Sequence, residues 1–492
     1  MRDNKHGSLN LSRRGFLGQG LAALGAAGLS GAEVPRSGGQ EPESRVRVEP
    51  PDWFAGDMHM HRGICCARAN AKDMLTPQEL LEGMKANDLA VMSVLGDIGD
   101  GETRYVERDI PLVTGHDNPA STPSRLLHWD GEVDWDPVGV TFDKFLIGGH
   151  LVLLGLKGAR RIYAEYTYPI IQWATEQGGI AGFAHMQYLP LAFYPPPDGI
   201  PTSLDCCTPL EYPVEVALGS VSFVSEDVRG SDSALQAYYR LLNTGFRPGL
   251  AAGTDYPCNN LEPFGTCLTY VRIPDGKLTY EKWIDGIARG RTVVSRNAHN
   301  EFLDFKVNES AHPGDEIRLE QKGPVRVRVE WRSLNPGLGR IEVVQNGAVV
   351  VSQTTQVAPV SSENVKRTNV DGHQQPSCCV ASGASAVLET TLEFRQSGWL
   401  AARRMDWQTG HQTQTGAVFV LAQGAPIRAS AADARFFVSW IDNLLKQTSP
   451  GGKWSGFFKT DREPAHQRYR QARAIFLQRA AEAEKQVAES GS

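Results

Sequence analysis

Apolar and polar positions after residue 50 follow a recurring order. Trp53-Phe54-Ala55 is a short apolar run that reads as a buried strand. Thr76-Pro77-Gln78-Glu79 is a capping box with proline at the first helical position, and Leu80, Leu81 and Met84 supply the buried stripe of the helix it opens. Leu89 to Leu95 is then a continuous apolar strand, and strand, helix, strand in succession implies a parallel sheet. The alternation returns: Leu151 to Leu156 is apolar, Ala164 to Gln177 is helical, and Ile180 to Ala184 is a strand. Ser233 to Asn243 is helical, Leu250 to Ala252 a short strand, and Tyr280 to Arg289 a helix ahead of Thr292 to Val294. Repeated βα units over residues 51–300 predict a barrel-like α/β domain whose active site sits at the C-terminal strand ends.

The pattern changes after residue 300. Val325 to Trp331 alternates as a half-buried strand, and Ile341 to Val344, Asn346-Gly347 and Val349 to Val351 give a hairpin signal. Thr390 to Phe394, Trp399 to Arg403 and Ala417 to Leu421 continue the β pattern, so residues 301–425 read as a small β-sandwich. Ala431 to Leu445 and Glu463 to Ala488 are amphipathic helices in a C-terminal segment, 426–492.

Composition narrows the partners. The chain has 492 residues, 41% of them hydrophobic, enough for a large core and more than one domain. A net charge of −6 without a basic stripe disfavours nucleic acid. The eight cysteines include three adjacent pairs (Cys65-Cys66, Cys206-Cys207, Cys378-Cys379), and none has the Cys-x-x-Cys spacing of a zinc or redox motif. Ser12-Arg13-Arg14-Gly15-Phe16-Leu17, an uncharged run to Leu29 and Ser30-Gly31-Ala32 look like a twin-arginine export signal over residues 1–32. That signal predicts a periplasmic or secreted protein, and the run is too short and glycine-rich for a stable membrane anchor. Residues 33–50 read as a linker.

The candidate chemistry centres on Gly56-Asp57-Met58-His59-Met60-His61. On a strand the period of two puts Asp57, His59 and His61 on one face, where two imidazoles form a chelating pair and the carboxylate can orient one ring. His185 closes the Ile180–Ala184 strand, Asp255 follows the Leu250 strand, His150 opens the Leu151 run, Glu132 is a carboxylate ahead of that run, and Asp97 follows the second strand. Four imidazoles and two carboxylates at one barrel mouth match the ligand set of a two-metal hydrolase using zinc, manganese or iron.

Together with Gly148-Gly149-His150-Leu151, Gly179-Ile180-Ala181-Gly182-Phe183-Ala184-His185, Ala252-Gly253-Thr254-Asp255 and the later Gly290-Arg291-Thr292-Val293-Val294-Ser295, this order of motifs resembles the PHP (polymerase and histidinol phosphatase) superfamily, nearest the CehA/McbA-type, carbaryl-hydrolase-like metallohydrolases. The resemblance covers most of residues 52–425 and implies a distorted (β/α)7 barrel. It implies His59 and His61 as first-motif ligands, Glu132 as a bridge between metals, His150 and His185 as ligands and Asp255 as the last-motif ligand. Two positions depart from the family pattern. Leu95-Gly96-Asp97 stands where Asp-His is usual, so Asp97, with Glu132, is the candidate catalytic carboxylate. Asp255-Tyr256-Pro257 replaces Asp-x-His, so one or two divalent ions are expected, not three.

The implied activity is metal-dependent hydrolysis of a small-molecule ester, carbamate or phosphoester, the metal activating water without a serine or cysteine nucleophile. The chain carries no Gly-x-Ser-x-Gly elbow. The contrasting expectation is a catalytically degenerate secreted protein whose sandwich recognises carbohydrate or a cell-surface polymer.

Overall fold

Among the described residues, eighteen strands carry most of the architecture, and their pairing decides where the candidate residues go. The computed structural model describes residues 47–62, 74–99, 106–133, 148–186, 189, 200–201, 208–227, 233–257, 265–335, 337–355 and 384–490. The export-signal segment, the linker up to residue 46 and the three adjacent cysteine pairs lie outside the described residues. Residues Arg45–Ser492 form one unit. No described helix is long and apolar enough to cross a membrane.

The first nine strands are β1 (Trp53–Met60), β2 (Val91–Asp97), β3 (Leu126–Val133), β4 (Leu151–Leu154), β5 (Ile180–Phe183), β6 (Phe223–Asp227), β7 (Gly249–Gly253), β8 (Leu268–Arg272) and β9 (Thr292–Ser295). The nine that follow are β10 (Glu301–Val307), β11 (Glu316–Leu319), β12 (Gly323–Ser333), β13 (Gly339–Gln345), β14 (Ala348–Thr355), β15 (Ala384–Phe394), β16 (Gly398–Asp406), β17 (Gly410–Thr415) and β18 (Val418–Ala422). The helices are α1 (Pro77–Ala86), α2 (Val106–Asp109), α3 (Tyr168–Glu176), α4 (Tyr212–Ala217), α5 (Ser233–Asn243), α6 (Tyr280–Ala288), α7 (Ala431–Thr448) and α8 (Arg462–Ser490).

The helix-rich (β/α)7 barrel expected from the sequence is not what forms. Fifteen strands join one mixed sheet, in the order β11-β18-β16-β17-β9-β8-β1-β2-β3-β4-β5-β6-β7, with β13 and β14 branching from β16. β1–β2–β3 and β5–β6–β7 are parallel runs, but β3–β4 and β4–β5 are antiparallel. The other edge of β1 is taken by antiparallel β8, which carries the sheet outward through β9. An antiparallel neighbour needs no helical crossover, so helix and strand do not alternate throughout.

The physical reason for the difference lies in strands that the hydrophobic periodicity hides. β3, Leu-Leu-His-Trp-Asp-Gly-Glu-Val, is buried at every position although His128, Asp130 and Glu132 alternate along it. Alternating polar residues ordinarily mark a solvated face; here they point into the protein. β6 and β8 were likewise not visible as strands.

Residues beyond 300 do not stand apart. β17 pairs β9, so the C-terminal strands extend the main sheet. A separate three-stranded sheet, β10-β12-β15, packs on β13, β16 and β18 around a second core that includes Phe305, Val329, Trp331, Val343 and Val420. Val343 and Val420 belong to the large sheet, so the expected small sandwich is fused to it rather than independent.

Local rules hold where they are strongest. Thr76 caps α1: its side chain accepts from Glu79 N while Glu79 Oε2 accepts from Thr76 N at 2.7 Å, and Leu80 and Met84 are buried beneath. Helices α7 and α8 cover the same flank as α4: Trp440 donates to Leu210 O at 2.8 Å, and Arg468 pairs with buried Glu215. Met58, Val152, Leu154, Phe223, Ala251 and Trp283 share a third core, in which α6 packs against the strands.

Candidate metal centre

β1 delivers His59 inside the strand and His61 one residue past its end; β3 delivers Glu132 near its end; His150 immediately precedes β4. His185 and Asp255 each lie two residues past a strand and adopt left-handed backbone conformations, φ 59° and 49°. That region costs a residue with a side chain about 1–3 kcal/mol and clusters at functional sites. β7 comes back to β1 at this level: Asp255 N donates to His59 O at 2.7 Å and His61 N to Tyr256 O at 2.8 Å. Gly253 permits the approach, since a Cβ there would fall 2.5 Å from His59 Cβ and 2.7 Å from His59 N.

All six residues the sequence singled out as ligands meet, and all are buried. They fall into two groups, each with donor atoms within 4.8 Å of one another: His59, His61, Glu132 and Asp255, and then Glu132, His150 and His185. In the first, Glu132 Oε2 lies 3.2 Å from His59 Nε2 and 2.9 Å from His61 Nε2. Asp255 Oδ1 lies 3.3 Å from His59 Nε2 and 3.4 Å from His61 Nε2. Two N or O donors about 2.1 Å from one cation, at tetrahedral or octahedral angles, lie roughly 3.0–3.4 Å apart. Three of these four separations fall in that range and the fourth, 2.9 Å, lies just below it, a spacing that could accommodate one ion.

The second group uses the other oxygen. Glu132 Oε1 is 3.1 Å from His150 Nδ1 and 3.7 Å from His185 Nε2, and the two imidazole nitrogens are 3.0 Å apart. Asp255 also reaches across, with Oδ2 3.9 Å from His185 Nε2. Buried histidine, glutamate and aspartate groups of this composition can hold a metal ion, which answers the cost of burying two carboxylates together.

Electrostatics follow the geometry. Burial opposes ionisation of Glu132, but the charge of His59 and hydrogen bonds from His150, His59 and His61 hold it well below the usual carboxylate range. Burial likewise disfavours the charged form of His61, yet Asp97 and bonds to Asp255, Asp97 and Glu132 raise it well above an ordinary histidine. His61 Nδ1 lies 3.0 Å from Leu95 O. A carbonyl only accepts, so Nδ1 carries the proton and Nε2 is the nitrogen turned to the carboxylates.

Asp97 joins neither donor group. Its Oδ1 is 3.2 Å from His61 Nδ1, on the far side of the ring, and burial raises its pKa. Asp57 does not orient a ring as its spacing suggested: its carboxylate accepts from Thr254 N at 3.0 Å, Thr254 Oγ1 at 2.5 Å and His59 N at 3.3 Å. Burial pushes it up to about 6. Sequence reasoning overlooked Asp130 and His128, whose alternation with Glu132 was the available signal. Asp130 accepts from Gly155 N at 2.7 Å and from the Tyr280 hydroxyl, and His128 stacks on Tyr280 at 3.7 Å. They form a separate polar cluster, outside both donor groups.

No family model matches the chain, and no curated protein matches it. Among solved structures, the crystal structure of an engineered protein, a structural-genomics target, is 14% identical with a TM-score of 0.14. That match covers 43% of this chain and 44% of the engineered protein, less than half of either.

Proposed function

We propose that the protein is an exported metal-dependent hydrolase of the PHP type, nearest the CehA/McbA-like branch, acting on an ester, carbamate or phosphoester bond of a small molecule. The observation that carries this reading is the division of one carboxylate: Glu132 Oε2 faces His59 and His61 while Oε1 faces His150 and His185. A bridging carboxylate between imidazole-rich sets is the arrangement of two-metal hydrolytic sites. The first set, with four donors, would bind an ion more tightly than the second, with three. The imidazole and carboxylate donors suit zinc, manganese or iron.

A divalent cation held there supplies Lewis acidity, polarising a carbonyl or phosphoryl oxygen and lowering the pKa of nearby water toward ~7. The chain's own residues do the rest. His59, His61, Glu132 and Asp255 would hold one ion, and His150 and His185 with the other Glu132 oxygen would hold a second. Leu95 O holds the His61 ring in one tautomer, and the Asp97 carboxylate lies 3.2 Å from the same nitrogen. Burial of all six donors keeps bulk water from competing for them. The twin-arginine pattern at residues 12–17 supports export of a protein folded with its metal already bound.

The test combines metal analysis of the purified protein with assays on chromogenic acetate, carbamate and phosphate esters, for wild type and His59→Ala. Stoichiometric metal and turnover lost in the variant support the reading. Turnover unchanged in His59→Ala removes it, and bound metal without turnover on any ester favours a degenerate binding protein.

A further inference from the structure

The structure assigns to Asp57 and Thr254 a positioning role: together they staple the strand carrying His59 and His61 to the loop carrying Asp255, and so set the coordination geometry of the first metal site. This rests on the metal-centre reading of the site.

Asp57 is fully buried, two residues before His59, and Thr254 is fully buried, one residue before Asp255. The two are 197 positions apart in sequence. One Asp57 oxygen accepts from Thr254 N at 3.0 Å and His59 N at 3.3 Å, so a single atom binds the backbone of both segments. The other accepts from Thr254 Oγ1 at 2.5 Å and Gly265 N at 3.5 Å. Asp255 N donating to His59 O at 2.7 Å closes the loop of contacts. Thr254 thus has both its amide and its hydroxyl committed to one carboxylate. Small errors matter here, because the donor atoms of the two segments are only 3.3–3.4 Å apart. A shift of about 1 Å in Asp255 takes its oxygen out of a shell whose bonds are about 2.0–2.2 Å long. Asparagine at position 57 presents an N–H to donors on one side, and valine at 254 deletes the hydroxyl while keeping the shape.

The test uses cobalt(II) alone as the probe, titrated into metal-stripped full-length protein and followed by visible absorption, with unfolding temperature measured in parallel. Thr254→Val and Asp57→Asn weaken the first cobalt by about 10–100-fold and alter its absorption, as losses of outer supporting groups do. Thr254→Ser, which keeps the hydroxyl, stays within about threefold of wild type. Asp57→Asn combined with Thr254→Val costs no more than Asp57→Asn alone, since the pair acts as a unit. Should Asp57→Asn fail to fold, the Thr254→Val and Thr254→Ser comparison still decides. Wild-type cobalt affinity and absorption in Thr254→Val, with or without a lower unfolding temperature, overturn the staple and leave the metal centre standing. Failure of the wild type to bind cobalt removes both.

Discussion

Glu132 Oε1 lies 3.1 Å from His150 Nδ1, while its other oxygen lies 2.9 Å from His61 Nε2. One side chain is therefore a member of both donor groups. Removing it has a different effect from removing either flank. Glu132→Ala takes a donor from both groups and is expected to lose the second ion and weaken the first, whereas His150→Ala or His185→Ala leaves the first ion bound as in wild type. Metal content by elemental analysis after dialysis against a weak chelator checks the difference; two ions retained by Glu132→Ala defeats the bridging assignment.

Asp97 supports His61 from behind, and Leu95 O already fixes the same nitrogen. Asp97→Asn is therefore expected to weaken metal binding by about tenfold, the low end for loss of an outer partner. His61→Ala should cost far more. Competition titration against a chromophoric chelator ranks the two, and equal losses would make Asp97 a direct ligand.

Gly253→Ala pushes a methyl carbon into His59 Cβ at 2.5 Å, in a position whose backbone any residue can adopt. The strands must separate or His59 must turn. The expected cost is about 1–3 kcal/mol of stability, read from urea unfolding, together with weaker metal binding. A variant of unchanged stability would mean that β7 tolerates displacement from β1.

Glu211 links α8 to the segment before α3, accepting from Thr167 N at 2.8 Å, Thr167 Oγ1 at 2.6 Å and the Tyr469 hydroxyl. Burial, then the neighbouring charge of Glu215, push its pKa from 4.5 up to about 7. Between those values the folded chain keeps a proton that the unfolded chain releases. Stability from this group is therefore greatest below about 4.5, falls as pH rises toward 7, and is level above. Glu211→Gln removes the dependence, so its stability relative to wild type should improve by up to about 3 kcal/mol between pH 4.5 and pH 8. Urea unfolding of both proteins at the two pH values measures it, and parallel curves would show that Glu211 does not titrate in this range.

Local sequence determined what a few neighbouring residues can settle. The capping box at Thr76 starts α1, and Asn346-Gly347, both with positive φ (50° and 85°), turns β13 into β14. The amphipathic stretches after residue 430 became α7 and α8. The six residues that gather in the two donor groups were picked out by the His-x-His spacing and by the order of motifs along the chain.

Tertiary structure alone decided the rest. Which strands pair depends on contacts between residues far apart in the chain, so the antiparallel β3–β4–β5 steps and the fusion of β17 to β9 left no local trace. The inward polar row of β3 disguised the strand that carries Glu132. The separation of Asp97 from the donor groups, the sharing of Glu132 between them and the grip of Asp57 on Thr254 are distances of a few ångströms between residues up to 197 positions apart. Chain packing sets such distances, and no pattern of neighbouring side chains encodes them.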